Sequence, residues 1–188
     1  MNKTTRALTV EQYQEIIETM KEGREGFFRP NIRVATALQL EANLGIRVSD
    51  IVKLKLADIV KDGNRYRLDI VEQKTSKKRT FTVKPDLYLF IENYCLKNNI
   101  KATEPIFDIT ERAVQKQLKL VCDFLELDGI STHSFRKFYA TEIYNNNNHN
   151  IAIVQHLLQH SSPTVTQKYI GIEQEQIEQA LDKHNYLI

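Results

Sequence analysis

Apolar residues follow helical spacing through almost the whole chain and switch to strand-like alternation only between about Leu56 and Val83. That single switch constrains the fold more than any other feature. Helices must form the body, and the strands must gather into one local sheet. Thr9-Val10-Glu11-Gln12 reads as a capping box, and Val10, Tyr13, Ile16, Ile17 and Met20 carry a first helix to about Lys21. Pro30 suits the first turn of a second helix, apolar on most sides from Ile32 to Leu44 and closed by Gly45. A helix of that kind belongs in the centre of a core. Arg47 to Val52 begins a short third helix.

The β region reads as a three-stranded meander. A short strand is expected near Leu56 to Val60, followed by an Asp62-Gly63-Asn64 turn. Tyr66, Leu68 and Ile70 alternate in the second strand, and Thr80 to Val83 are β-formers in the third. The basic stretch Gln73 to Lys78 makes the second turn. Helices then resume: one opened by Pro85, one from about Glu111 to Leu127, and one at His133 capped by Thr132. The asparagine-rich run 145–150 reads as a loop or frayed end. Ile151 to Leu158 is a short helix, Ser162-Pro163 starts another toward Tyr169, and a last helix is expected from about Glu173 to Lys183. The expected class is therefore α+β: mainly α with a small three-stranded antiparallel sheet.

Apolar content of 41% suffices for a core, and net charge is only +2. The bulk charge does not announce a nucleic-acid binder, so distribution matters more. Lys74, Lys77, Lys78 and Arg79 lie together without an acid between them, whereas Glu173, Glu175, Glu178 and Asp182 gather near the C-terminus. Cys95 and Cys122 sit in apolar helical patterns and read as buried free thiols of a reducing compartment. No apolar leader or long apolar run occurs, so a soluble, cytoplasmic protein with no membrane association is expected.

The chemistry-bearing residues are scattered: Arg47, Lys74, His133, Arg136, His160 and Tyr169. Cations that stabilise an oxyanion, with one nucleophilic hydroxyl, are what phosphoryl transfer needs. His133 and Arg136 share one helix face. Asp50, three residues after Arg47, could pair with it or orient a neighbour. Taken singly, each has an ordinary explanation. An H-x-x-R pair is a surface or structural pair, His160 binds helix-end carbonyls, Tyr169 is a core aromatic, and Lys74 is solubilising charge.

Their flanks add a resemblance. LGIRVSDIVKLKLADI, THSFRKFYATEIY and LLQHSSPTVTQKYIGI resemble the three signature boxes of the tyrosine recombinases, the phage integrase and Xer-type family, and VEQKTSKKRTFTV resembles that family's lysine-bearing hairpin. The likeness runs from about Leu8 to the C-terminus. It implies a tyrosine recombinase catalytic domain that acts on double-stranded DNA without metal or cofactor. Arg47, Lys74 (with Lys77 as rival), His133, Arg136 and His160 would be catalytic, Tyr169 the nucleophile and Asp50 a support. Lys77, Lys78 and Arg79 would contact DNA. The whole chain, 1–188, is expected to be one catalytic domain with residues 1–7 as a flexible tail and no separate core-binding domain. Gln159 stands where many members have glycine. A homo-oligomer on DNA is implied, with the last helix either exchanged between protomers or packed on its own domain. A non-recombining DNA-binding relative and a nicking-closing type IB topoisomerase-like enzyme remain as alternatives.

Overall fold

The computed structural model describes residues 5–170. The chain divides into two compact units, the first up to Tyr139 and the second from Ala140. The first unit holds α1 (Val10–Glu22), α2 (Ile32–Leu44), α3 (Val48–Ile51), β1 (Ile59–Asp62), β2 (Arg65–Val71), β3 (Lys78–Val83), α4 (Pro85–Lys97) and α5 (Glu111–Phe124). α6 (Thr132–Asn146) spans the boundary. α7 (Ile151–Leu158) and α8 (Pro163–Ile170) belong to the second unit. The mainly helical class with one antiparallel sheet, ordered β1-β2-β3, is as expected. The last expected helix, 173–183, lies outside the described residues.

Local chemistry explains most boundaries. Thr9 and Gln12 make the reciprocal capping box of α1. α2 starts two residues after Pro30, because Asn31 Oδ1 accepts from the Val34 N–H at 3.1 Å and takes the cap. Gly45 ends α2 in the left-handed region at φ 58°. The strand expected at Leu56 starts later. Leu56–Asp58 is a 3-10 turn, closed where the Asp58 carboxylate accepts from the Lys55 N–H at 2.8 Å, and β1 begins at Ile59. α5 stops at Phe124, since Glu126 adopts φ 56° and the Leu127 N–H turns back to the Cys122 carbonyl. α6 begins at Thr132 itself and runs into the asparagine stretch as far as Asn146, and Asn150 then caps α7.

In the first unit, α2 divides two apolar clusters. One face packs Val34, Ala35 and Leu38 with Ile16, Met20, Val114, Leu118, Val121 and Phe135. The other packs Ala37, Leu40 and Leu44 with Ile51, Leu68, Val83, Ile91 and Phe107. Each fully buried side chain of this size contributes about 1.5–3 kcal/mol, which fixes α2 and whatever leaves its C-terminus. In the expected tail, Thr5 and Arg6 are tied down. The Arg6 N–H donates to the Gly129 carbonyl at 3.2 Å, and Lys137 Nζ donates to the Thr5 carbonyl at 2.7 Å. In the second unit α7 packs against α8, with Val154, Leu158 and Thr166 buried.

Candidate active site

Arg47 follows directly from the packed end of α2. Gly45 turns the chain, Ile46 is fully buried, and Arg47 occupies the N-cap position of α3. Only Gly fits this corner. A Cβ at Gly45 would lie 2.3 Å from the Tyr139 ring, at a φ that side chains disfavour. Arg47 Nη1 reaches Glu72 Oε2 at 2.6 Å. Glu72 is 1% exposed and lies just past β2. Its other oxygen accepts from Arg79 Nη1 at 3.0 Å and stands 3.8 Å from Arg136 Nη1. Thr75 Oγ1 donates to the same carboxylate at 3.0 Å. Burial alone would raise the Glu72 pKa, but Arg47, Thr75 and Arg79 outweigh it and hold the carboxyl below its ordinary value.

Arg136 and His133 come from the first turns of α6. Arg136 is 1% exposed, whereas His133 is exposed. The His133 pKa is pushed down to about 4, by desolvation first and then by Arg136, Lys137, Arg47 and Lys74. Its partial exposure moderates the desolvation share, yet all four cations act in the same direction. The ring is neutral at pH 7 and can accept a proton.

The β2–β3 turn carries Lys74, the last of the four cations that lower the His133 pKa. Asp50 positions that turn. It is buried on α3, and its Oδ1 accepts from the Gln73 N–H at 2.8 Å. Lys74, Lys77 and Lys78 are exposed. Arg79 is not. It is 2% exposed, donates to the Gly45 carbonyl at 3.1 Å as well as to Glu72, and stacks over Phe81. The expectation that Arg79 contacts DNA is therefore corrected, because its guanidinium is enclosed between the end of α2 and β3.

The second unit holds the other two residues. Gln159 ends α7 in the left-handed region at φ 54°, the conformation that glycine would take there at least cost. His160 follows, with its Nδ1 3.1 Å from the buried Thr166 hydroxyl on α8. The His160 and Tyr169 rings meet edge to face, 4.9 Å between centroids. Among the described residues no group of three His, Cys, Asp or Glu could hold a metal ion, and no helix is long and apolar enough to cross a membrane. A cleft of about 760 Å³ lined by Lys21, Ile32, Arg33, Phe90 and Tyr94 contains none of the six residues.

The sequence profile described as the phage integrase family matches residues 6–176. The chain belongs to the phage integrase family. Its tyrosine recombinases cleave and rejoin DNA by transesterification. A probable integrase/recombinase, YoeC of Bacillus subtilis, is 29% identical over 85% of this chain and 88% of its own length. The tyrosine recombinase XerC of Caldanaerobacter subterraneus is 28% identical over 94% of this chain but only 50% of its own length, so the chain spans about half of that relative. Among solved structures, XerH recombinase in a post-cleavage complex with palindromic difH substrate superposes with a TM-score of 0.71 at 19% identity, covering 96% of this chain and 54% of that one. The catalytic domain of bacteriophage HP1 integrase gives 0.65 at 17% identity, covering 95% and 94%. These likenesses establish the tyrosine recombinase catalytic fold.

Two residues of this integrase-family chain escape a reading of the sequence by charge. Glu72 and Arg79 sit in the basic hairpin and read as solvated. Strand alternation carries the missing signal. Glu72 is in phase with Leu68 and Ile70 on β2, and Arg79 with Phe81 and Val83 on β3, with Ile70 paired to Arg79 and Leu68 to Phe81. Period two therefore assigns both to the inward face.

Proposed function

We propose that this chain is a site-specific DNA recombinase that works through a 3′-phosphotyrosyl intermediate, with its two units serving one catalytic domain. The observation that carries this reading is the charged cluster of the first unit. Arg47 and Arg136 both lie by one carboxylate, next to a neutral histidine and the turn bearing Lys74. Three guanidiniums around one carboxylate leave an excess of positive charge suited to a phosphodiester.

In the proposed reaction Tyr169 Oη attacks the scissile phosphorus, and the bond from phosphorus to the 5′ oxygen breaks. His133, neutral in the free protein, takes the tyrosine proton. Lys74 gives a proton to the departing 5′ oxygen. Arg47 and Arg136 hold the non-bridging oxygens, and His160 adds a hydrogen bond to them. Asp50 fixes the turn that presents Lys74. The energy of the phosphodiester stays in the DNA–tyrosine bond, so a 5′ hydroxyl from another strand reverses the steps without ATP or metal. Lys77 and Lys78 contact the DNA backbone, and a homo-oligomer on DNA brings two duplexes together.

A nicked suicide substrate containing the correct site tests this. Wild-type protein should accumulate a covalent DNA adduct, and Tyr169→Phe should form none. An adduct with Tyr169→Phe would remove the tyrosine from its role. Supercoil relaxation without exchange between two sites would favour a nicking-closing enzyme instead.

A further inference from the structure

Glu72 has no assigned part in the reaction, yet it touches more of the site than any other residue described above. It is buried, and its oxygens meet Arg47 at 2.6 Å and Arg79 at 3.0 Å, with Arg136 at 3.8 Å. The same residue closes the turn that carries Lys74. The Ser76 N–H donates to the Glu72 carbonyl at 2.9 Å, and the Glu72 N–H donates to the Lys77 carbonyl at 3.0 Å. Its carboxylate also accepts the Thr75 hydroxyl.

We propose that Glu72 is a positioning residue that sets Arg47 and Arg136 for the scissile phosphate and couples their placement to the Lys74 turn, with Arg79 as its buried brace. Resting on the function proposed above, this adds a residue that itself touches no DNA. The physical case starts from repulsion. Like-charged guanidiniums crowded at one site drive each other apart unless an anion lies between them. A carboxylate with two oxygens supplies that anion and also fixes direction, since Arg47 takes one oxygen and Arg79 the other. Arg79 in turn is anchored to the end of α2 through the Gly45 carbonyl and stacked on Phe81. Glu72 therefore cannot shift without moving β3 or the α2 corner. Arg47 remains 22% exposed at its side chain, whereas Glu72 is 1% exposed, so the pair is held from the buried side.

A buried counter-ion that merely neutralises Arg79 would also destabilise the fold when lost, so the test must separate position from stability. Two variants serve: Glu72→Asp, which keeps the charge but withdraws it, and the double variant Glu72→Gln with Arg79→Met, which removes both buried partners. Single-turnover cleavage is measured on a phosphodiester site and on one whose scissile phosphate is a methylphosphonate, which lacks one anionic oxygen for the arginines to hold. A misplacement of about 1 Å in a catalytic group costs about 100-fold. Positioning predicts a loss of that order for both variants on the phosphodiester and a much smaller loss on the methylphosphonate. Equal losses on the two substrates, or a double variant that cleaves at the wild-type rate, would make Glu72 a structural counter-ion and overturn the proposal. If the wild-type chain yields no adduct, the proposed chemistry has failed rather than the placement of Glu72. Nitrogen-15 spectra of the Arg47 guanidinium then decide the latter. Its two Nη signals should be distinct in the wild type and merge in the double variant, and signals unchanged by the double variant would contradict the claim.

Discussion

Desolvation first, and then the charges of Arg136, Lys137, Arg47 and Lys74, keep the His133 ring neutral. An ordinary histidine titrates near about 6.5, whereas here the pKa is about 4. The sign for stability follows from proton linkage. Because the folded-state pKa is depressed, the unfolded chain binds the proton first. The contribution is complete above the unfolded value and is lost as pH falls from there toward the folded one. In the free protein a proton NMR titration should place the His133 midpoint clearly below the ordinary histidine value. A His133 midpoint at or above the ordinary histidine value would contradict the electrostatics described here. Glu41, buried on α2, is the opposite case, since desolvation raises its pKa well above normal despite the nearby Arg136 charge.

At the scale of elements, the local signals in the sequence were strong. Thr9 with Gln12, Gly45, Pro85 and Ser162-Pro163 each mark a boundary that the structure shares, because caps and turns depend on few neighbours. Where the elements differ from expectation, a nearby bond decided it: a side-chain bond at Asn31 ahead of α2 and at Asp58 ahead of β1, and a backbone bond from Leu127 after α5. The hairpin was legible as a hairpin, but its charges were not sorted by face. Lys78 and Arg79 are chain neighbours, one exposed and one 2% exposed. Only the strand phase, set by Phe81 and Val83, separates them. The α2 corner yields a prediction of its own. Gly45→Ala combines a disfavoured φ with a Cβ inside contact distance of the Tyr139 ring. It should lower unfolding free energy by about 2–5 kcal/mol, from about 1–2 for the left-handed conformation and about 1–3 for overpacking. Chemical denaturation reads this, and an unchanged midpoint would show that the corner yields.

For the molecule as a whole, the fold and the family were legible because three motif boxes and a hairpin stand in order along one chain. What alternation could have revealed but charge concealed is the layer beneath the site: Glu72 under the arginines, Arg79 behind Glu72, and Asp50 under the turn. Strand phase marks Glu72 and Arg79, seven positions apart, as inward, but the contacts of Arg47 with Glu72 and of Asp50 with Gln73 span more than 20 positions, so no local pattern encodes those partners. The central claim is that these pieces serve one nucleophile. Its most direct measurement is mass spectrometry of the protease-digested DNA adduct from a suicide substrate. The account predicts a single modified peptide carrying a 3′-linked nucleotide on Tyr169. Linkage to any other residue, or to the 5′ side of the break, would contradict it.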